Sequence, residues 1–192
     1  MKRMTTLVLM MSFLLLLSCN RKTETDSKDV AEERNEEKFE DSDAERDTEF
    51  AVEAADGGML EVQLGQLAVS NASSPQVKQF GQMMIDEHSK ANEELKTLAA
   101  EKKITLPAQL SEKSMKKYND LAQKSGPDFD KEYIEFMIKD HKEDIELFKK
   151  EADKGNDMGL ASWASGKISV LQHHLQLAES AEETVRNAAK NN

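Results

Sequence analysis

The placement of proline is the feature that most restricts how this chain can fold. Only three prolines occur in 192 residues, at positions 75, 107 and 127, so long stretches contain no helix-breaking residue of this kind. From about Thr48 onward, apolar residues recur every three or four positions, and no segment alternates as a half-buried strand does. About 140 residues suffice for one domain with a single core. The sequence therefore predicts an all-α domain.

Local signals at the helix ends predict four long helices and one short one. Ser74 before Pro75 is a typical helix start, and Pro127 with Asp128 is a second. The predicted helices span about 48–70, 75–102, 111–125, 127–154 and 156–185. Gly126 is expected to be the C-terminal glycine of the short third helix. This pattern favours an antiparallel four-helix bundle with the short extra helix in the crossover.

The N-terminus carries a different signal. Met1 to Arg3 are followed by an apolar run and then by Leu16-Leu17-Ser18-Cys19, which contains the only cysteine and resembles a bacterial lipobox. The resemblance implies a lipoprotein signal peptide over residues 1–18 and lipid attachment at Cys19. The apolar run is shorter than the roughly 20 residues that a transmembrane helix needs. Asn20 lacks the aspartate often linked to inner-membrane retention, which favours the outer membrane, facing the periplasm.

An acidic segment separates this signal from the helical domain. Residues 21–49 contain 13 acidic and 6 basic side chains, with Val30 and Phe39 as the only large apolar ones. Such a composition buries too little surface to offset the entropy of ordering, although its Glu and Lys content allows transient helix. We therefore expect residues 19–47 to be an acidic disordered tether and residues 48–192 to form the bundle domain.

The charge of the chain limits its partners. Removal of the signal peptide with Lys2 and Arg3 leaves 24 basic residues against 37 acidic ones, a net charge of −13. This balance argues against nucleic acid as a partner and against a basic surface lying on anionic lipid. The expected partner is the membrane of the bacterial cell envelope, reached through the N-terminal lipid, and the sequence does not identify which protein, if any, is a partner.

Two helical segments resemble each other and point to a known family. Residues 80–88 (FGQMMIDEH) align with residues 133–141 (YIEFMIKDH), which suggests two helical hairpins related by pseudo-symmetry. Together with residues 57–65, residues 129–133 and His174, they resemble the bacterial family called domain of unknown function 4142, which is grouped with ferritin-like bundles. The resemblance covers about Thr48 to Glu182 and implies the bundle fold but no activity. The family usually has Asp before the first histidine, where this chain has Glu87.

Four polar residues are predicted at one level inside the bundle, because each lies near the middle of its helix on an inward-facing stripe: Glu61, His88, His141 and His174. A carboxylate and three imidazoles can bind a transition metal ion such as zinc, iron or copper. Three neighbouring carboxylates are candidates for orienting these ligands: Asp144, Glu87 and Asp140. Alternatively, Glu61 forms a hydrogen bond with His88 or His141 in the absence of any metal.

The sequence favours a non-enzymatic protein. A ferritin-type di-iron site needs a glutamate three residues before histidine on two helices, but these positions hold Ile85, Ile138, Val170 and Leu171. No phosphate-binding glycine loop or nucleophilic serine elbow occurs in the sequence. We expect a lipid-anchored envelope protein whose ferritin-like bundle is a binding or structural module, for instance in a stress response. The alternative is a metal-binding bundle that uses the Glu and His cluster.

Overall fold

The computed structural model describes residues 26–40 and 44–190, and within them all regular secondary structure is α-helical. The helices are α1 (Ser27–Phe39), α2 (Glu45–Asn71), α3 (Pro75–Lys102), α4 (Glu112–Ala122), α5 (Gly126–Lys154) and α6 (Met158–Lys190). This confirms the predicted all-α class. Among the described residues, no helix combines the length and hydropathy needed to span a membrane. Cys19 and the predicted signal peptide lie outside the described residues.

The helix ends follow local capping chemistry in most places. Helix α3 starts at Pro75 after the N-cap Ser74 and ends at Lys102, as predicted. Helix α2 begins at Glu45, three residues before the predicted start. The expected role of Gly126 is wrong: α4 ends at Ala122, whereas Gly126, with a φ of 63°, is the first residue of α5. A positive φ is one that glycine adopts without steric cost.

Helix α1 is the main departure from the predicted disordered tether. Thirteen residues of the segment that was predicted to be disordered, Ser27–Phe39, form a helix that packs against α2. Asn35 is 1% exposed and pairs with Thr105 in both directions, through 2.9 and 2.7 Å hydrogen bonds to its backbone C=O and N–H. Asp26 accepts a 2.7 Å hydrogen bond from the Glu112 N–H. Helix α1 has few apolar residues of its own. Its order therefore depends on polar contacts with Thr105, in the loop before α4, and with Glu112, the first residue of α4.

The long helices form two hairpins, α2 with α3 and α5 with α6, which contact each other through α2–α5 and α3–α6. Buried aspartates tie the hairpins together at opposite ends. Asp47 accepts the N–H groups of Asn156 and Asp157 at 2.9 and 2.7 Å. Asp130 accepts those of Ser73 and Ser74 at 3.0 and 2.9 Å. Because the start of α2 meets the start of α6 and the end of α2 meets the start of α5, α2 and α5 are antiparallel.

The core is divided into two apolar clusters. One contains residues that include Leu64, Phe80, Met84, Phe129, Tyr133, Met137 and Ala178. The other contains residues that include Phe50, Leu95, Ile145, Phe148, Leu160 and Leu171. Along α3, α5 and α6 the change from one cluster to the other occurs at a histidine. A polar layer therefore crosses the middle of the core, and the helices place the candidate site there.

Glu151, in the last turn of α5, gives the fold a pH dependence that can be measured. Its carboxylate is 2% exposed, and neither oxygen has a hydrogen-bond partner among the described residues. Burial, followed by the charges of Asp47 and Asp157, raises the pKa of Glu151 from 4.5 to about 7. The folded protein thus favours the protonated form of Glu151. The resulting stabilisation is fully present below pH 4.5 and is lost as the pH rises through 7.

We therefore expect Glu151→Gln to flatten the stability profile between pH 5 and pH 8. The wild-type free energy of unfolding should fall by about 1–3 kcal/mol more than that of the variant over this range. Urea unfolding at each pH measures this difference. Glu146→Gln, an exposed change on the same helix, is the control and should keep the wild-type profile. Parallel profiles for wild type and Glu151→Gln would contradict the expectation.

Candidate metal centre

Each of the four long helices contributes one side chain to the polar layer. Glu61 of α2, His88 of α3, His141 of α5 and His174 of α6 are 2, 7, 0 and 1% exposed. The structure thus brings together all four residues that were predicted as ligands. One ligand atom from each histidine lies within 4.8 Å of those of the other two. The four groups form a single buried cluster, which we call the His/Glu layer.

The distances between the histidine nitrogens match those around a tetrahedral metal ion. His174 Nδ1 lies 3.3 Å from His88 Nε2 and 3.3 Å from His141 Nε2. Nitrogen ligands at 2.0–2.1 Å from tetrahedral zinc are about 3.3–3.4 Å apart. Glu61 Oε1 is 3.5 Å from His141 Nε2 and has no hydrogen-bond partner among the described residues. The spacing therefore suits one ion between three imidazoles, with a carboxylate oxygen beside it.

A hydrogen-bond acceptor holds the outer nitrogen of each imidazole. His141 Nδ1 lies 3.0 Å from the backbone carbonyl of Met137. His174 Nε2 lies 2.9 Å from a carboxylate oxygen of Glu87, and His88 Nδ1 lies 2.6 Å from Oε2 of Glu61. Metal-bound histidines commonly donate their second N–H to a carboxylate or carbonyl in this way, which fixes the ring and its tautomer.

These outer contacts determine where the protons are. A carbonyl oxygen only accepts, so neutral His141 carries its proton on Nδ1 and has a lone pair on Nε2. Neutral His174 donates from Nε2 to the Glu87 carboxylate and has its lone pair on Nδ1. Two nitrogen lone pairs consequently face each other at 3.3 Å, on side chains that are only 0 and 1% exposed. Such a contact is unfavourable unless a cation lies between the two atoms.

A metal-free network satisfies only part of this layer. If Glu61 is protonated, it donates to His88 Nδ1, and His88 then donates from Nε2 to His174 Nδ1. That chain of hydrogen bonds accounts for one of the two 3.3 Å contacts. His141 Nε2 still has no donor, because His174 Nδ1 is already an acceptor. The predicted alternative, a hydrogen bond from Glu61 to His88 or His141, is present as the 2.6 Å contact with His88, but it leaves His141 Nε2 without a donor.

Burial keeps the imidazoles neutral. Desolvation lowers the pKa of His88 to about 4. Desolvation, followed by the neighbouring histidines, lowers the pKa of His141 to about 3. The pKa of His174 falls to about 4, chiefly by desolvation, against the raising effect of Glu87. Burial raises the pKa of Glu61 well above 4.5. Near pH 7 the three histidines are therefore the neutral ligands that transition metals bind.

Of the three carboxylates predicted to orient ligands, only Glu87 contacts a histidine. Asp140 has an oxygen within 4.8 Å of ligand atoms of Glu61 and His141, but its buried Oδ2 has no partner among the described residues. Desolvation and then the charge of Glu61 raise the pKa values of Asp140 and Asp144. Tyr133, whose pKa is raised by burial and by Glu61, also leaves its hydroxyl unpaired within the described structure.

A cavity of about 350 Å³ reaches the His/Glu layer from one side. Glu61, His88 and His174 border it, whereas His141 does not. Its remaining walls come from α2, α3, α5 and α6 and include the aromatic rings of Phe148 and Trp163. The centre is therefore buried in the core but has a path along which an ion or a small molecule can enter.

Two features of the centre were not predicted from the sequence. The Met137 carbonyl orients His141, and no side-chain pattern marks a backbone acceptor. The close contact between Gly65 and Gly81 sets the spacing of α2 and α3, which carry Glu61 and His88. Both glycines are visible in the sequence, Gly65 in residues 57–65 and Gly81 in residues 80–88, but only the packed helices show that they meet.

Comparison with known proteins assigns a family without an activity. A family profile described as "Domain of unknown function (DUF4142)" matches residues 32–181. A search of curated proteins found no match, and a search of solved structures found none either. The matched region starts within α1 and includes all four residues of the His/Glu layer. The chain therefore belongs to the DUF4142 family.

Proposed function

We propose that this protein is a non-enzymatic metal-binding protein of the bacterial envelope, with a divalent transition metal ion held in the His/Glu layer. His88 Nε2, His141 Nε2 and His174 Nδ1 are the ligands. Glu61 orients His88 through Oε2 and places Oε1 beside the ion. The observation that carries the proposal is the 3.3 Å contact between the unprotonated nitrogens of His141 and His174.

The chemistry of the ligands favours zinc or a similar borderline ion. Three imidazoles and a carboxylate suit zinc, copper, nickel and iron(II) better than they suit magnesium or calcium, which prefer oxygen ligands. A tetrahedral zinc ion needs no rearrangement of nitrogens that are already 3.3 Å apart. Storage or buffering of the ion fits a chain in which neither a nucleophile nor a cofactor motif was predicted.

The helical arrangement supports a ferritin-like bundle as the scaffold. Adjacent long helices are antiparallel, and residues 103–125 form the single long crossover, which contains α4. One long connection between two hairpins is the ferritin-like connectivity. The ligand set differs from the ferritin-type di-iron site, since three histidines and one glutamate replace its carboxylate-rich pair of positions.

Metal content tests the proposal directly. The full chain, purified in detergent without a histidine tag and stripped with chelator, should take up about one equivalent of zinc after dialysis and elemental analysis. His174→Gln should weaken zinc binding by at least about 100-fold, because loss of an outer-shell partner alone costs 10–100-fold. Glu87→Ala removes only such an outer-shell partner, so it should weaken zinc binding by about 10–100-fold.

His173→Gln is the matched control, since it changes the exposed neighbour of His174 on the same helix. Its zinc content and affinity should equal those of the wild type. The proposal is contradicted if wild-type protein retains less than about 0.1 equivalent of zinc, copper, nickel and iron alike. Equal loss in His173→Gln and His174→Gln would also contradict it, because binding would then be a surface effect.

We further propose that lipid at Cys19 anchors the protein. The lipobox resemblance supports this, and the docked helix α1 adds a geometric consequence. Asp26 follows Cys19 by seven positions, so the helical body would lie within about 25 Å of the acylated residue. Cys19→Ala should abolish labelling with radioactive fatty acid and release the protein from membranes. Unchanged labelling and membrane retention in that variant would refute the anchor.

A further inference from the structure

The cavity beside the His/Glu layer has the features of a ligand site. Its volume of about 350 Å³ lies within the range of small-molecule pockets. It borders Glu61, His88 and His174, so an ion bound by the three histidines would face it on the side away from His141. Histidine-ligated zinc often keeps one position for an external ligand and expands to five-coordination. Glu61 and an outside oxygen atom can therefore both lie at the ion.

Glu94 fixes one wall of the cavity in place. It accepts a 3.1 Å hydrogen bond from the indole N–H of Trp163 and pairs with Lys167 Nζ at 2.5 Å. Trp163 also contacts Phe50 and Phe148, with ring centroids 6.1 and 5.5 Å apart. An aromatic ring held at both its polar and its apolar edge offers a preorganised surface, which reduces the entropy cost of binding.

Polar groups in the same cavity are of the kinds that bind an anion. Lys90 and Lys167 line it, as does the amide of Asn92. A Cβ atom at Gly58 would lie 2.1 Å from Asn92 Oδ1, so the glycine allows this amide to lie against α2. The other walls include the apolar Ala54, Ala91 and Leu171. The carboxylates of Glu87 and Asp144 also line the cavity, and Glu87 is hydrogen-bonded to His174.

We infer that the cavity binds a small organic carboxylate with an apolar or aromatic body, whose carboxylate oxygen coordinates the metal ion. The inference rests on the proposed metal site. The oxygen supplies the external ligand at a distance typical of zinc–carboxylate contacts, about 2.0–2.2 Å. The body of the ligand packs against Trp163 and Phe148, and the Asn92 amide donates to the free carboxylate oxygen. The protein thereby binds a metal–carboxylate pair.

Cobalt(II) provides a spectroscopic test. The full chain in detergent is loaded with one equivalent of Co²⁺, whose visible spectrum reports coordination, and is titrated with sodium benzoate and with sodium acetate. Benzoate should change the spectrum saturably, and acetate should bind about 10-fold more weakly because it lacks the apolar body. Ala91→Phe fills the cavity and should weaken benzoate binding at least about 10-fold at unchanged cobalt affinity.

Ala100→Phe is the control, because Ala100 lies exposed on the same helix. It should bind benzoate as the wild type does. A cobalt spectrum that benzoate leaves unchanged overturns the carboxylate site but leaves the metal site intact. A response that is equal for acetate and benzoate, or equal in Ala91→Phe and wild type, overturns the role of the cavity. Failure to bind cobalt, together with less than about 0.1 equivalent of zinc, copper, nickel and iron, overturns both proposals.

Discussion

Zinc at 100 times its dissociation constant is expected to raise the free energy of unfolding by about 2.7 kcal/mol. For a chain of this size that gain corresponds to a rise in Tm of about 5–10 °C. The physical reason is that the three histidines come from α3, α5 and α6 and meet only in the folded state. The unfolded chain therefore has no comparable site, and the binding energy adds to stability. Thermal unfolding monitored by circular dichroism, with and without zinc, measures the shift.

His141→Leu should remove the shift, because leucine fills a similar volume but has no ligand atom. His141 is the residue to change, since it is fully buried and contacts His174 directly. His173→Leu, at an exposed position, should retain the full rise in Tm. A zinc-dependent rise of equal size in His141→Leu would place the bound ion elsewhere on the protein and refute the site.

Both ends of α3 were predictable because the signals that set them are local. Ser74 and Pro75 carry the information that starts α3 within two residues, and both boundaries of that helix agree with the sequence. Helix α1 was not predictable in this way. Its order depends on Asn35 and Asp26 reaching partners near residues 105 and 112, some 70 or more positions away. The composition of the acidic segment alone cannot predict such long-range contacts.

The common level of Glu61 and the histidines was also predictable from the sequence. Each lies near the middle of a long helix on an inward-facing stripe, and antiparallel packing brings the middles together. The roles of the three carboxylates near these histidines could not be predicted from the sequence. Glu87 and Asp140 each directly precede a histidine and Asp144 follows one by three residues, but only Glu87 reaches a ring nitrogen. Side-chain direction within one helical turn decides this, and it depends on the neighbouring helix.

The burial of three aspartates could not be predicted from the sequence either. Asp47, Asp56 and Asp130 look like ordinary surface charges in an acidic chain, yet each is at most 6% exposed. Asp56 accepts hydrogen bonds from Ser111 N–H, Ser111 Oγ and Ser114 Oγ at 2.7, 2.7 and 2.6 Å. These carboxylates satisfy backbone groups at the ends of other helices. Their partners become visible only when the order of the helices in space is known.

Gly81→Ala is expected to destabilise the protein by about 1–3 kcal/mol, near the upper end of that range. A Cβ atom at this position would lie 2.6 Å from Ala68 Cβ and 2.9 Å from the carbonyl oxygen of Gly65. The second of these atoms belongs to the backbone and cannot rotate away, so α2 and α3 must separate. Urea unfolding at pH 7 measures the loss.

Gly57→Ala is the matched control, because a Cβ atom there meets nothing within 4 Å in the middle of α2. Alanine favours the helix by about 1 kcal/mol over glycine, so this variant should be more stable than the wild type. Gly81→Ala should in addition weaken zinc binding, since separating α2 from α3 lengthens the 2.6 Å contact between Glu61 and His88. If Gly81→Ala loses stability but binds zinc with wild-type affinity, the spacing of these two helices does not hold the metal centre together, and the role assigned to Glu61 fails.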